Sequence, residues 1–460
     1  MVFIQGVSFG YSGQEKILKD INLEIKQGEC ILLCGESGCG KTTVTKLVNG
    51  LIPHFCGQCE LEGAVVTKGM EVSGTKLYQL AEAVGSVFQN PKSQFFHLDT
   101  ESELAFGMEN QGKSPKEMKK RLEETVKNLQ IKRLLGRSIF ELSGGEKQTL
   151  AFASVYAMNP SVYVLDEPTA NLDLTAVASL KKLLFYLKQE GHTIIIAEHR
   201  LSFLYDLLDR AVYLKNGELL RIYSRDEFLA LSEPDRKHMG LRCVKEEEGE
   251  LPAAHPAGAG NGLWVEALSV GYKRQPPLCR DISFSAVQGE ILAVTGGNGV
   301  GKTTLLRCIC GLLQPMTGKI LLDGKEVSEK IRRKQCFLVM QDVNHQLFAD
   351  SVWEECKISG NGLEDTVIRS ELEQLGLLTV AGRHPMALSG GQKQRLAIVT
   401  AILSGKRVLI FDEPTSGLDY ATMKAVSMRL KQLAASGRIV IVATHDKEFM
   451  LSACDKILTI

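Results

Sequence analysis

The chain repeats itself, and that restricts it to two copies of one fold. Gly35-Glu36-Ser37-Gly38-Cys39-Gly40-Lys41-Thr42 returns as Gly296-Gly297-Asn298-Gly299-Val300-Gly301-Lys302-Thr303. Lys41 and Lys302 stand 261 residues apart, as do Tyr11 and Tyr272. Gln89 and Gln341 are 252 apart, and Ser143/Ser389, Asp166/Asp412 and His199/His445 are each 246 apart. One lag held across three separate motifs means two copies in register, the second shortened in two places. The copies run over residues 1–235 and 263–460. Between them, at 236–262, lies a charged run, Lys245-Glu246-Glu247-Glu248-Gly249-Glu250, and then a Pro/Ala/Gly-rich run to Gly260. Neither has helical or strand periodicity, so the stretch reads as a flexible linker.

In each copy an apolar run, Cys30-Ile31-Leu32-Leu33-Cys34 or Ile291-Leu292-Ala293-Val294, enters the Gly-rich segment, and a helix-like run leaves it. Strand, Gly-rich loop and helix are the context of a phosphate-binding loop, where backbone N–H groups and the positive helix end wrap an anion. Gly35, Gly38 and Gly40 supply the first loop, and Gly296, Gly299 and Gly301 the second. Lys41 and Lys302 reach for the β- and γ-phosphates of a nucleotide. Thr42 and Thr43, or Thr303 and Thr304, open the helices, with the Thr42 and Thr303 hydroxyls suited to Mg²⁺. One such loop could be a plain turn; two in this context are not.

Downstream, Val162-Tyr163-Val164-Leu165-Asp166-Glu167 and Val408-Leu409-Ile410-Phe411-Asp412-Glu413 are apolar strands ending in two carboxylates. The C-terminal ends of strands are where α/β sheets meet ligands. Asp166 and Asp412 read as Mg²⁺ supports, and Glu167 and Glu413 as the groups that polarise an attacking water. Further motifs place Ser143, Gly144 and Gly145, and again Ser389, Gly390 and Gly391, at the start of a helix, which is an anion site. If the phosphate loop of the same copy already holds the phosphates, Ser-Gly-Gly is most economically used on a nucleotide held by the other copy.

Composition narrows the setting. The 54 basic residues cancel the 54 acidic ones, which argues against a broad nucleic-acid footprint. No run approaches the roughly 18 apolar residues of a membrane span, and Met1-Val2-Phe3-Ile4-Gln5 lacks the pattern of a signal peptide. A membrane role is therefore expected only through a partner. The 12 cysteines are scattered, as suits a reducing compartment. Cys56 and Cys59, with His54 nearby, have metal-like spacing but no second pair, so they read as loop residues.

Taken together, the motifs resemble those of the ATP-binding cassette (ABC) ATPases, over nearly the whole of both copies. The resemblance implies an α/β fold: two tandem ABC-type P-loop NTPase domains, each with a mainly parallel core sheet, a small antiparallel β subdomain and a helical subdomain. It also implies copies facing head to tail with two ATP molecules between them. One ATP would contact Lys41, Thr42, Gln89, Asp166, Glu167 and His199, closed by Ser389, Gly390, Gly391 and Asp419. The other would contact Lys302, Thr303, Gln341, Asp412, Glu413 and His445, closed by Ser143, Gly144, Gly145 and Asp173. Tyr11 and Tyr272 match the aromatic that stacks on adenine. Gln89 and Gln341 match a further Mg²⁺ contact, and His199 and His445 the γ-phosphate sensor. Both sets are complete, which implies two competent sites; Thr149 against Arg395 and Cys39 against Val300 point to unequal rates.

The kind of ABC protein follows from what is missing and from finer motifs. Gln89 to Ser143 spans 54 residues and Gln341 to Ser389 spans 48, too few for the coiled-coil arm of DNA-repair members. The linker is short and contains prolines, unlike the charged helical linkers of translation-associated members. Asn49-Gly50-Leu51-Ile52-Pro53-His54-Phe55, Glu103-Leu104-Ala105-Phe106-Gly107, Ala197-Glu198-His199-Arg200-Leu201 and Gln341-Asp342-Val343-Asn344-His345-Gln346 resemble the energy-coupling factor (ECF) importers of vitamins and metal cations. Tandem sugar-import ATPases are the close rival, and soluble translation-associated ABC proteins the other alternative. The ECF resemblance implies two partners, a transmembrane coupling subunit and a substrate-binding membrane subunit, a place on the cytoplasmic face of the membrane, and no nucleic acid. Association of two chains is left open. Phe95, Phe96, Leu347 and Phe348 are the candidates for docking the coupling subunit, with burial in the core as the equal alternative.

Overall fold

A computed structural model describes residues 1–13, 15–170, 172–245, 249–254 and 261–460. It divides into two units, Met1–Lys245 and Glu246–Ile460. In the first, Leu18–Ile25, Val2–Tyr11, Cys59–Thr67 and Met70–Glu71 form a four-stranded antiparallel sheet in that order. A six-stranded sheet follows in the order Glu218–Ser224, Arg210–Lys215, Cys30–Cys34, Thr193–Ala197, Val162–Asp166 and Val84–Val87. Only Glu218–Ser224 runs antiparallel. Strands covered on both faces need side chains that are apolar throughout, and Cys30–Cys34 and Thr193–Ala197 are buried at every position.

The second unit repeats the plan. Cys279–Val287, Gly262–Val270, Thr317–Leu322 and Lys325–Glu326 form the antiparallel sheet. Cys336–Val339, Val408–Asp412, Ile439–Ala443, Ile291–Thr295 and Lys456–Thr459 form a five-stranded parallel sheet. Each unit adds a helical layer: Thr100–Asn110, Pro115–Asn128 and Gly144–Met158 in the first, Val352–Gly360, Asp365–Gln374 and Gly390–Leu403 in the second. In the first unit this layer has a small core of its own, around Leu104, Ile139 and Leu150. The fold is therefore the α/β arrangement of two tandem P-loop domains, each with the three subdomains expected.

Within the stretch expected as linker, two pieces carry structure. Glu233–His238 is a short helix, and Met239 and Leu241 beyond it are buried in the core of the first unit. Pro252–Ala254 runs beside the strand Lys456–Thr459, with Ala254 N–H donating to Ile457 O at 2.7 Å. Buried apolar side chains and edge pairing account for both, against the charge and proline content that suggested a spacer. The acidic run at 246–248 and the stretch 255–260 lie outside the described residues.

Candidate functional site

The glycines of each phosphate loop are required by their surroundings. Gly35 and Gly40 have φ of 143° and 107°, and a Cβ would lie 2.1 Å from Leu214 O and 2.5 Å from Leu18 Cδ2, respectively. Gly296 and Gly301 repeat this against Ile460 O and Cys279 Sγ. Gly38 and Gly299, at φ 83° and 80°, face open space and are needed for backbone conformation alone. The loops close on their lysines. Lys41 Nζ donates to Gly35 O and Glu36 O, both at 3.0 Å, and Lys302 Nζ donates to Gly296 O at 2.7 Å and Gly297 O at 3.0 Å. Each ammonium is thus held within its own loop, at the start of the helix Lys41–Val48 or Lys302–Ile309. Thr43 and Thr304 stand on the first turns of these helices.

Next to each loop the residues expected to support Mg²⁺ meet. Thr42 Oγ1 donates to Asp166 Oδ1 at 3.0 Å, and Thr303 Oγ1 donates to Asp412 Oδ2 at 2.6 Å. Burial pushes both carboxyls up from their ordinary range, and the threonine hydroxyls pull them part of the way back. Hydroxyl and carboxylate oxygens are hard donors that suit Mg²⁺, which takes one or two carboxylates and completes its shell with waters and substrate phosphates. No group of three or more His, Cys, Asp or Glu side chains that could hold a metal occurs among the described residues. A single aspartate and a hydroxyl therefore fit Mg²⁺ arriving with a nucleotide better than a metal held by protein alone. Cys59 Sγ donates to Cys56 O at 3.9 Å.

The carboxylates after the strands gather the remaining residues. Gln89 Nε2 donates to Glu167 Oε2 at 2.7 Å, and His199 Nε2 lies 3.7 Å from Glu167 Oε1. In the second unit His445 Nε2 lies 3.5 Å from Glu413 Oε1, and Thr444 Oγ1 donates to Glu413 Oε2 at 3.3 Å. Glu167 and Glu413 have φ of 46° and 52°, a left-handed conformation uncommon outside glycine and asparagine. The turn carries each carboxylate just past the C-terminal end of its strand, Val162–Asp166 or Val408–Asp412.

The Ser-Gly-Gly segments sit on another element, the helical layer. Ser143 caps Gly144–Met158: its Oγ accepts from Glu146 N–H at 3.3 Å, and Glu146 accepts from Ser143 N–H at 2.9 Å. Ser389 and Gln392 do the same for Gly390–Leu403. A Cβ at Gly144 or Gly390 would have nothing within 4 Å. Gly145 and Gly391 follow in the same turns. Asp173 and Asp419 cap the helices Leu174–Gln189 and Tyr420–Ala435. Tyr11 ends a strand of the antiparallel sheet and is exposed, as is Tyr272. Gln341 follows the strand Cys336–Val339 by two residues, as Gln89 follows Val84–Val87.

Sequence reasoning missed the side chains that hold this framework. Buried Glu198 accepts from the backbone N–H of His199 at 2.7 Å and from Thr169 Oγ1 at 2.6 Å, which fixes the histidine turn to the segment after Glu167. In the second unit Thr415 Oγ1 donates to Asp446 Oδ2 at 2.7 Å instead. Gln94 and Glu103 frame the segment after Gln89. Gln94 Oε1 accepts from Phe88 N–H, and Glu103 Oε2 accepts from Phe96 and His97 N–H, both at 2.9 Å. Gln346 and Glu355 repeat both sets of bonds around Met340, Phe348 and Ala349. The frame splits the four docking candidates. Phe96 and Phe348 are 74% and 77% exposed, Phe95 is half-buried, and Leu347 is core at 4%. Beside Phe96 runs a groove of about 240 Å³ lined by Leu51, Leu77, Phe88, Phe106 and Met158.

Comparison with known proteins agrees with this geometry. The family model described as ABC transporter matches residues 18–170 and 279–416, and one for an AAA domain (putative AbiEii toxin, Type IV TA system) matches 381–452. A putative ABC transporter ATP-binding protein of Treponema denticola is 47% identical over 100% of this chain and 95% of its own length. The putative HMP/thiamine import ATP-binding protein YkoD of Bacillus subtilis is 31% identical over 100% of this chain and 90% of its own length. A structure of ribosome-bound archaeal Pelota and ABCE1 aligns with a TM-score of 0.69 at 21% identity, over 98% of this chain and 76% of that one, a likeness of fold alone. No helix among the described residues is long and apolar enough to cross a membrane.

Proposed function

We propose, from the premise that this chain belongs to the ABC transporter ATP-binding proteins and is an ATPase, that its two copies share two ATP sites and drive a membrane importer. The observation that carries the reading is the gathering of Gln89 and His199 on Glu167 beside the Thr42–Asp166 pair, repeated by His445 on Glu413 beside Thr303–Asp412. Lys41 and Lys302 bind the outer phosphates. Glu167 and Glu413 orient and polarise the attacking water, while His199 and His445 contact the γ-phosphate. Thr42, Gln89 and Asp166, and their counterparts Thr303, Gln341 and Asp412, hold Mg²⁺, which when bound neutralises phosphate charge. Ser389, Gly390, Gly391 and Asp419 close the site built on Lys41, and Ser143, Gly144, Gly145 and Asp173 close the one built on Lys302. Tyr11 and Tyr272 stack on adenine.

On this reading ATP draws the copies together and hydrolysis releases them. The partners are a transmembrane coupling subunit and a substrate-binding membrane subunit, as in the ECF group, which places the chain on the cytoplasmic face of the membrane. Exposed Phe96 and Phe348, each presented by a buried glutamate, support a docking role for the segments after the glutamines. Full-length similarity to a putative HMP/thiamine import ATP-binding protein supports a vitamin-type cargo over a sugar. The test is the double variant Glu167→Gln with Glu413→Gln. Turnover should fall by roughly a hundredfold or more, the scale of a lost general base, while ATP still binds. Undiminished hydrolysis would refute the assignment. Co-purification with ribosomes and with no membrane protein would instead favour the translation-associated alternative.

A further inference from the structure

The two phosphate loops differ at their second residue: Glu36 in the first stands where Gly297 stands in the second. Glu36 O accepts from Lys41 Nζ at 3.0 Å and from Cys39 N–H at 3.3 Å, so this peptide helps to hold both the lysine and the loop. The half-buried Glu36 side chain lies against Gly240, far along the chain. A Cβ on Gly240 would fall 2.5 Å from Glu36 Cγ and 3.1 Å from Glu36 Oε1, and its three nearest atoms all belong to that side chain. A Cβ on Gly297 would meet nothing within 4 Å.

The turn that carries Gly240 is pinned on both sides. It ends the helix Glu233–His238: Gly240, at φ 70°, donates its N–H to Lys237 O at 3.1 Å, and Leu241 N–H donates to Arg236 O at 3.0 Å. This pair of bonds with a left-handed residue is the usual glycine ending of a helix. Met239 and Leu241, on either side of the glycine, are buried in the core of the first unit. Tyr223 Oη donates to Met239 Sδ at 3.7 Å, and buried Arg236 donates from Nη1 to Leu241 O at 3.1 Å. The turn therefore cannot retreat from Glu36 without uncovering core. A helix ending explains the glycine, but it does not call for a side chain of the phosphate loop on the bare face of that glycine.

We propose that Met239–Leu241 is a strap on the first phosphate loop, and that Glu36 is a positioning residue through which the strap sets how Lys41 meets the phosphates. The inference rests on the reading of two ATP sites. A loop already fixed loses less freedom when phosphate arrives, so the strap favours ATP at the site built on Lys41. Gly297 gives Lys302 no such support, which makes the two sites unequal in affinity although both sets of motifs are complete. The strap also runs into the stretch that joins the copies, so that stretch and the first site share an anchor.

The test measures ATP binding by equilibrium dialysis in full chains that keep one site, Lys302→Ala for the first and Lys41→Ala for the second, each with Glu167→Gln and Glu413→Gln to stop turnover. The perturbation is Gly240→Asn, because asparagine accepts this helix-ending conformation best after glycine, while its side chain displaces Glu36. It should weaken ATP binding at the first site about tenfold, the lower part of what overpacking costs when expressed as affinity, and leave the second within about twofold. In a Glu36→Gly background, which installs the residue of the second copy, Gly240→Asn should have no further effect. An equal loss with and without Glu36 would mean that the turn is structural only and would overturn the proposal, as would an unchanged first site. Failure of the Lys302→Ala chain itself to bind ATP would overturn the two-site reading, and the strap with it.

Discussion

Replacing Glu103 by alanine removes the one carboxylate oxygen that accepts from two backbone amides, those of Phe96 and His97, each at 2.9 Å. Glu103 is buried, so water does not simply take its place. An orphaned buried donor costs about 1–3 kcal/mol, which gives roughly 2–6 kcal/mol for the pair if nothing relaxes. Relaxation is available here, because the Phe96 side chain lies in solvent and its amide can turn outward. We therefore take the lower part of that range, about 2–3 kcal/mol, as the penalty, and it falls on the local segment. At 1.4 kcal/mol per factor of ten, hydrogen exchange at the Phe96 and His97 amides should accelerate roughly 30- to 150-fold. Exchange in the strand Val162–Asp166 should not change. Exchange detected by mass spectrometry on short peptic peptides, or by NMR, reads both regions in one sample. The companion variant Glu355→Ala should act in the same way on Phe348 and Ala349, whose amides donate at 2.7 and 2.8 Å. If exchange at these amides stays within about threefold of the parent protein while the fold is intact, the frame does not hold the segment and the reasoning fails.

The shared-site arrangement can be read from pairs of substitutions in the hydrolysis-deficient Glu167→Gln, Glu413→Gln background. Lys41→Ala with Ser389→Arg should leave one ATP bound per chain, whereas Lys41→Ala with Ser143→Arg should leave none; equal stoichiometry by equilibrium dialysis would contradict it. Metal binding should depend on pH through Asp166 and Asp412. Burial raises their folded pKa above the ordinary 3.8, and Mg²⁺ needs the ionised form, so affinity in the presence of ATP should weaken on acidification before an ordinary aspartate would protonate. A Mg²⁺ titration that stays flat down to the usual carboxylate range would sink this. Phe96→Ser and Phe348→Ser touch neither Glu167 nor Glu413 and should leave basal hydrolysis within about twofold, since surface changes away from a site alter little. They should also reduce recovery of the chain with membranes; undiminished membrane recovery would remove these residues from the docking surface.

Where chemistry dictates residue type and order, the sequence was readable. A loop that wraps phosphate needs glycines at set places, a lysine, and a strand before and a helix after, and such constraints leave a pattern in one dimension. The meeting of Thr42 with Asp166 and of Thr303 with Asp412 was legible for that reason. The frame built by Gln94 and Glu103 was not, because a side chain that replaces backbone hydrogen bonds across an irregular loop has no period to betray it. Leu347 and Phe348 show the same limit. Both are apolar and adjacent, and only the irregular backbone after Gln346, held by Glu355, decides that one enters the core and the other leaves it. Residues 236–245 fall in the stretch expected as linker because of the acidic and Pro/Ala/Gly-rich runs that follow, while Met239 and Leu241 within them are buried in the first unit's core.

The left-handed turns at Glu167 and Glu413 bear on how this chain could be engineered. A side chain at such φ values costs roughly 1 kcal/mol that glycine would not, so the carboxylates proposed as catalytic sit at positions where the backbone prefers another residue. A screen that rewarded heat resistance alone would drift toward glycine or asparagine there and return sturdy chains that no longer turn over ATP. Selections for durability in this protein therefore need turnover as a second criterion, imposed on each copy separately, since an active copy could mask the loss in the other.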